Sequence, residues 1–484
     1  ICGLIGQAPL NPEDHERVRA VNAAMFHRGP DGAGEFLVPQ VMLAMRRLAI
    51  IDLSGGWQPL YNEDKSIALV VNGEVYNYVE LRRELEARGH RFRTKSDCET
   101  VAHAYEEYGL DFVHKLRGMY AIALYDANRR RVIIVRDRMG EKPLFLYEQP
   151  GKLLFASEMK SILASGMIRF ELDPAAINDY YHFTYVPDPA TAVVGVRKLP
   201  AGHMLIIDLD PWKVEEKCYW RMEDAPALTG DPAEHIRERL EEIGRLIIRS
   251  DVPVGVALSA GLDSSMVAAL AAKNSPGQIH ALSIGYSGRP HSDERARAKA
   301  LAQHLKMPFH EYEVGADEVA DCFADRNFMR DDPIADISGH GYYAVSRLAR
   351  QNNIPVLLQG HGIDELFWGY SWVRSAIVSS MKKCGRMPVT MKDRLSYLAR
   401  LFPENFRRSG IQNWAFFWGG LLTGWRSLRP TAGSGADVLD FYNVALEFEP
   451  EALDLLYALT DGYPYFVQAY GKVTWDSAVR SPIT

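Results

Sequence analysis

The sequence predicts two architectures in series, an α+β layered domain over about the first 200 residues and an α/β doubly wound domain from residue 251 onward. Three observations carry this reading. Runs rich in Val, Ile, Leu and Tyr at 41–53, 66–76, 120–137 and 152–157 crowd the first part and read as strands. Between them, apolar residues recur at three- and four-residue steps only at 79–88 and 99–114, where amphipathic helices fit. After 251 the pattern alternates: VPVGVALS (252–259) runs into a helix at 264–273, IHALSIGY (279–286) into 292–305, and IPVLLQG (354–360) into 363–370. Buried parallel strands with crossover helices produce that alternation.

Smaller signals order the elements. Asp126-Ala127-Asn128 interrupts the third run as a hairpin turn would. Pro211, Pro226, Gly230 and Pro232 fall in a polar stretch, which places a linker at 208–232. A helix start follows, with Asp231 as cap, Pro232 in the first helical position and Glu234 three residues after the cap. Ile236, Leu240, Ile243 and Ile247 mark one face of that helix.

Composition excludes several classes. The chain has 484 residues, 47% of them hydrophobic and 24% charged, with a net charge of −7. This is the balance of a globular protein, not a disordered or fibrous one. A nucleic-acid partner would show as a basic excess, so none is expected. No apolar run reaches the roughly 18 residues of a membrane helix, and 1–16 carries no signal-peptide pattern. The expectation is a cytoplasmic protein without a membrane partner. The five cysteines form no C-x-x-C pair, which argues against a disulfide framework and against a zinc site. Cys2 alone stands apart, because a terminus is an odd place for a packing residue.

Two groups of motifs carry chemistry. In LSAGLDSS, Leu258 to Ser265, a strand ends in Ser-Ala-Gly and a helix opens at Asp263. Hydroxyls, backbone N–H groups and a positive helix end then surround one point, which suits a phosphate or pyrophosphate; a tight strand–helix turn with a capping Asp is the plainer alternative. The second group lies in the first domain. Cys2 is a candidate N-terminal nucleophile, since a terminal thiol has an α-amine beside it as general base. FHRGPDG (26–32), RRLAIIDLSGGWQPLYN (46–62), VNGEVYNY (71–78) and KSDCET (95–100) supply Arg, Asn, Glu and Asp near strand ends. Such groups can hold a free amino acid, an acid for its ammonium and Arg47 for its carboxylate.

The second group resembles the glutaminase domain of class II (N-terminal nucleophile) glutamine amidotransferases. LSAGLDSS resembles the pyrophosphate loop of ATP-pyrophosphatases, and residues 333–372 resemble the segment that closes on ATP and the acidic substrate. Together, over roughly 1–375, they resemble the glutamine-hydrolysing asparagine synthetase family. The resemblance implies a glutaminase domain of two antiparallel sheets with helices at 1–207, a linker at 208–232 and a synthetase domain at 233–430; residues 431–484 read as a helical tail of unassigned origin. It implies ATP and Mg²⁺, glutamine and a carboxylic acid as small-molecule partners, and suggests a homodimer.

The same resemblance assigns roles. Cys2 attacks the glutamine amide, and Asn72 and Gly73 form the oxyanion hole. Arg47, Asn72, Glu74 and Asp97 hold glutamine. Leu258 and Ile284 flank the adenine, while Ser259, Gly261, Asp263 and Ser264 take the pyrophosphate. Gln359 and Gly360 touch ATP, and Asp263 and Asp364 serve the magnesium. Ammonia crosses a tunnel to an acyl-adenylate, and aspartate is the default acceptor.

The chain departs from the family in several places. Ile1 precedes Cys2, which keeps the α-amine off Cys2. Ala260 replaces a glycine, costly wherever φ must be positive. His361 stands where the family has glutamate; as a catalytic group it could accept a proton but supplies no fixed negative charge. Trp368 replaces a small residue beside the acceptor pocket. After about 375 no Arg-x-Pro-Phe-Leu-Asp segment or later lysine follows, and 447–478 reads as a helical pair. These departures leave three alternatives open: a secondary-metabolite, peptide or sugar carboxylate as acceptor; lactam or macrolactam formation; and a degenerate, non-catalytic homologue.

Overall fold

The computed structural model describes residues 1–226, 229–275, 277–288, 293–335, 338–362, 376–378, 380–382, 388 and 390. Asp364, Trp368, the helix read at 363–370 and the tail at 431–484 lie outside them. The chain divides into two compact units, 1–359 and 360–484, and the architecture below belongs to the first.

Its first part is built on two antiparallel sheets. One consists of β1 (Cys2–Gly6), β2 (Gly32–Val38), β3 (Val41–Arg47), β8 (Phe145–Gln149), β9 (Lys152–Ala156) and β10 (Val196–Lys198), in the order β10-β8-β9-β1-β3-β2. The other consists of β4 (Leu60–Tyr61), β5 (Ile67–Val75), β6 (Gly118–Asp126), β7 (Arg131–Arg136), β11 (His203–Leu209) and β12 (Trp212–Cys218), in the order β12-β11-β7-β6-β5-β4. Strand alternation fixes what each face buries. Ile5, Leu43, Leu146 and Phe155 of the first sheet meet Val70, Ala121, Ile134 and Leu205 of the second in a closed layer. The outer face of the second sheet packs α2 (Tyr78–Ala87) and α3 (Glu99–Tyr108) through Leu81, Leu85, Val101 and Tyr105. The outer face of the first packs α1 (Pro12–Ala24) through Val18 and Val21. The result is a four-layer sandwich, helices outside and sheets inside.

Beyond it, β13 (Val254–Ala257), β14 (His280–Tyr286), β15 (Phe309–Val314) and β16 (Val356–Leu358) form a parallel sheet ordered β15-β14-β13-β16. The helices Leu262–Asn274, Arg295–His304 and Gly339–Gln351 make the crossovers, as the doubly wound pattern predicts. The order reverses between β13 and β16, and in such sheets ligands bind beyond the strand carboxyl ends at that reversal. Ion pairs stitch the sandwich to this sheet: Arg249 makes two hydrogen bonds to Glu80 at 2.6 and 2.7 Å, and Lys198 reaches Asp332 at 2.6 Å.

Several expectations need correction. The linker read at 208–232 contains β12, paired along its length with β11, so the sandwich extends at least to Cys218. As an edge strand, WKVEEKC carries charge on its open side and reads as polar connection. The strand read at 41–53 stops at Arg47, and the helix at 99–114 breaks at Gly109. The helix after Asp231 runs Pro232–Leu246, but Ile243 on its supposed inner face is exposed. Among the described residues, no helix is long and apolar enough to cross a membrane and the four cysteines are free.

Candidate active site

The end of β5 gathers most of the residues named for glutamine. Gly73 has φ +150°, and a Cβ there would lie 2.0 Å from the Met119 carbonyl oxygen of the paired strand, so only glycine fits. The Asp97 carboxylate accepts from the Val75 N–H at 2.8 Å, and the Cys98 thiol donates to the Gly73 carbonyl at 3.8 Å. These bonds tie the start of α3 to Asn72-Gly73-Glu74. Arg47 closes the group. Its guanidinium donates to the carbonyls of Asp52 (2.6 Å), Ile51 (3.3 Å) and Leu53 (3.3 Å) and lies 5.1 Å from the Trp57 ring centre. A Cβ on Gly56 would stand 2.8 Å from Arg47 Nη2 and 3.2 Å from Ser96 Cβ, which puts Arg47 across Gly56 from Ser96, the residue before Asp97.

The unmet valences of this group set what chemistry would suit it. Asn72 Nδ2 is buried and donates to nothing among the described residues. Burial and the neighbouring Asp97 raise Glu74 from 4.5 to about 7, and burial raises Asp97 as well. Two crowded carboxyls call for a cation, and an orphan amide calls for an oxygen. An amino acid with a side-chain carbonyl supplies both. Sequence reading missed Lys142, whose ammonium burial holds below its usual value, and whose charge acts on Glu74. The Asp137 carboxylate holds its loop by accepting from the N–H groups of Met139, Glu141 and Lys142 at 2.9–3.1 Å. A lone lysine in GEKP carries no spacing signal that could have found it.

Glu74 sets a pH dependence. A carboxyl with a raised folded pKa binds more protons folded than unfolded, so stability is lost as pH rises from 4.5 to about 7. We expect the melting temperature of the ligand-free protein to fall across that window and Glu74→Gln to flatten the fall. If Glu74 receives the ammonium of an amino acid such as glutamine, its binding should run the other way, tightening up to about pH 7 as Glu74 ionises. Thermal melts and glutamine KM at several pH values check both signs.

The Cys2 thiol is not brought to this group. Strand alternation turns it toward α1, where it packs with Val18 and Val21 and lies 3.9 Å from the Val18 carbonyl. Burial raises it to about 12. The Ile1 ammonium, lowered by burial to about 6, donates to Ser157 Oγ at 3.0 Å. Arg28 acts electrostatically on both this amine and Lys142.

The second site is the loop from β13 to the helix Leu262–Asn274. Ser264 Oγ accepts from the Ser259 N–H at 3.1 Å and meets Ser259 Oγ at 2.8 Å, while the Gly261 N–H donates to Ser259 Oγ at 3.1 Å. The two hydroxyls thus close a turn around the N-terminal end of a 13-residue helix, with Asp263 in its first turn. Gly261 is the N-cap at φ −72°, and Ala260 is not among the residues with positive φ, so the alanine costs no backbone strain. The Ala260 N–H donates to Glu294 at 3.3 Å, a partner the sequence did not indicate. Leu258 is buried, its N–H bonded to Leu282 O at 2.8 Å, and Ile284 lies two residues further along β14, so both stand at neighbouring strand ends. Gln359 directly follows β16 on the other side of the order reversal. Gly360 and His361 open the second compact unit, where His361 is exposed. Hydroxyls, amides and the Asp263 carboxylate are the donor set that phosphate oxygens and a magnesium ion require.

Residues 1–220 match the family described as a glutamine amidotransferase domain, and 235–437 the family described as asparagine synthase. A glutamine-hydrolysing asparagine synthetase 1 of Bacillus subtilis is 33% identical over 418 residues, 85% of this chain and 65% of that protein. The glutamine-hydrolysing asparagine synthetase of Sandersonia aurantiaca is 32% identical over 391 residues, 78% of this chain and 68% of that protein. Amidase chyE of Penicillium rubens is 35% identical over 373 residues, 73% of this chain and 55% of that protein. The chain spans less than two thirds of the length of the Bacillus and Penicillium proteins.

Proposed function

The chain belongs to the glutamine-hydrolysing asparagine synthetase family, and on that premise we propose that it moves the amide nitrogen of glutamine onto a carboxylate at the expense of ATP. The observation that carries the reading is the orphan Asn72 amide beside Gly73, with the Glu74 and Asp97 carboxyls next to it. Asn72 Nδ2 and the Gly73 N–H receive the oxygen on which charge develops as Cys2 attacks the amide carbon. Glu74 and Asp97 hold the substrate ammonium and Arg47 its carboxylate. Collapse of the adduct breaks the C–N bond and expels ammonia, which carries off the proton taken from the thiol and leaves for the second site; water then hydrolyses the remaining Cys2 thioester, releasing glutamate and restoring the thiol. The attack needs the α-amine of Cys2 itself as base, so the competent form is one whose first residue is Cys2.

At the second site the acceptor carboxylate displaces pyrophosphate from ATP, and ammonia displaces AMP from the acyl-adenylate. Ser259, Gly261, Asp263 and Ser264 receive the pyrophosphate oxygens, Leu258 and Ile284 the adenine, and Gln359 a further face of the nucleotide. Magnesium, toward which Asp263 offers a carboxylate, would neutralise phosphate charge when bound. L-Aspartate is the default acceptor and asparagine the product.

A second reading changes the acceptor only. His361 stands where the family has glutamate and Trp368 where it has a small residue, which favours a different carboxylic acid. Pyrophosphate release with ATP, magnesium and glutamine, with and without aspartate, separates the two. Aspartate-dependent release supports asparagine; glutamine hydrolysis without it directs the search to other acids. Asn72→Ala should lower glutamine turnover by about 10²–10³ and leave pyrophosphate release driven by ammonium unchanged. Equal losses with both nitrogen sources would remove Asn72 from the glutaminase.

A further inference from the structure

Glu63, His90, His103 and Glu106 meet outside the glutamine pocket, on the face of the second sheet that carries α2 and α3. One ligand atom from each can be chosen so that all four lie within 4.8 Å of one another. We propose that they bind a zinc ion. Glu63 Oε2 lies 3.3 Å from His103 Nδ1, Glu63 Oε1 3.3 Å from His90 Nδ1, and Glu106 Oε2 3.8 Å from His90 Nδ1. Tetrahedral zinc with nitrogen and oxygen ligands sets its donors about 3.4 Å apart, so the most widely separated of the four donors, within 4.8 Å, close by about an ångström to meet the ion.

His103 supplies an independent sign. It is fully buried, yet neither ring nitrogen makes a hydrogen bond. A buried imidazole whose nitrogens face carboxylates without a formed hydrogen bond is costly, and a metal on Nδ1 satisfies one of them. The surrounding groups are placed as metal-bound histidines require. Glu99 Oε1 stands 3.6 Å from His103 Nε2, and Glu107 Oε2 stands 3.4 Å from His90 Nε2. Glu63 anchors its other oxygen on the Arg91 N–H at 2.7 Å, and Asn62 Nδ2 donates to Glu106 Oε2 at 3.2 Å.

Charge points the same way. Four carboxyls, Glu63, Glu99, Glu106 and Glu107, surround two imidazoles; Arg88 meets Glu107 at 2.8 Å, and a dication offsets the charge of the others. The lack of cysteine pairs that argues against a thiolate site is silent on a site of imidazole and carboxylate, the ligands that suit zinc without sulfur. The ion would join the turn after β4, the segment after α2 and the middle of α3. It would thereby brace the helix that begins two residues after Asp97.

The test is metal content of the purified full-length chain, followed by chelation and titration with zinc alone. About one zinc per chain is expected, returning after chelation with a rise in melting temperature, and cobalt in its place should show the visible bands of a tetrahedral site. Glu63→Gln and His90→Gln should each lose the ion. Glu107→Gln, outside the ligand set, should weaken binding by about 10–100-fold. His103 is too deeply buried for its substitution to discriminate binding from folding. A chelated chain that takes up no zinc at low micromolar concentration overturns the proposal, and so does uptake unchanged in both Glu63→Gln and His90→Gln.

Discussion

Cys2→Ala is expected to reduce glutamine-dependent activity to background, a loss on the order of 10⁴-fold or more, while synthesis from ammonium continues. The prediction is for a chain that begins at Cys2. In the structure, where Ile1 precedes it, the thiol is buried against α1 with a pKa raised to about 12. At pH 8 only about one such thiol in 10⁴ is ionised, and the nearest α-amine belongs to Ile1 and bonds Ser157. Because Ile1 continues the strand, its carbonyl accepting from the Ser157 N–H at 2.9 Å, alternation commits the Cys2 side chain to the helix side. Removing Ile1 places an amine on Cys2 and frees the first residue of the strand to turn. A paired assay of chains beginning at Ile1 and at Cys2 should therefore show glutamine hydrolysis only in the second. Glutamine turnover by Cys2→Ala would exclude Cys2 as nucleophile, whatever the ammonium activity.

Which parts of the molecule could be read from sequence follows from how local their causes are. The helix Pro232–Leu246 was legible because Asp231 caps it through the Ala233 N–H at 2.9 Å, a signal contained in four residues. The loop at 258–265 was legible for the same reason. Yet α1 begins with the same chemistry, Asn11 capping Asp14 N at 2.9 Å and Pro12 in the first turn, and was not seen. Its buried face is thin, mainly Val18 and Val21 among charged neighbours, so no apolar period rises above the background. The edge strand β12 was lost to the opposite error, polar residues that mark an open edge.

The glutamine pocket shows the division within one site. Arg47, Asn72, Gly73, Glu74 and Asp97 are the candidates the motifs name, and the bond from Val75 to Asp97 ties the end of β5 to the start of α3. Lys142 and the histidine–glutamate cluster were not identified. Their partners come from separate loops, and His90 and His103 have no motif spacing. The direction of the Cys2 side chain is a tertiary property as well, since period two in β1 settles it.

Gly73→Ala is the substitution expected to do the most damage for a single methyl group. The new Cβ would lie 2.0 Å from Met119 O and 2.6 Å from Tyr120 Cα, both backbone atoms of β6. Neither can yield as a side-chain tip would, so β5 must separate from β6 at the register Gly73–Tyr120. A Cβ on Gly118 would meet Glu74 O at 2.0 Å, so the two glycines permit one close approach, and relief on either side moves Asn72 and Glu74. Gly89→Ala is the control, because Gly89 also has positive φ, +105°, but nothing lies within 4 Å of its Cβ position. That variant incurs backbone strain alone, about 1–2 kcal/mol, and should keep its glutamine turnover. Gly73→Ala should incur the strain and the clash, losing at least about 100-fold in glutamine turnover with a larger fall in melting temperature than Gly89→Ala. If the two variants lose stability equally and both hydrolyse glutamine, the approach of β5 to β6 is not what shapes the oxyanion site. If Gly73→Ala folds and still uses ammonium while glutamine turnover collapses, the damage is confined to the pocket where Gly73 was placed.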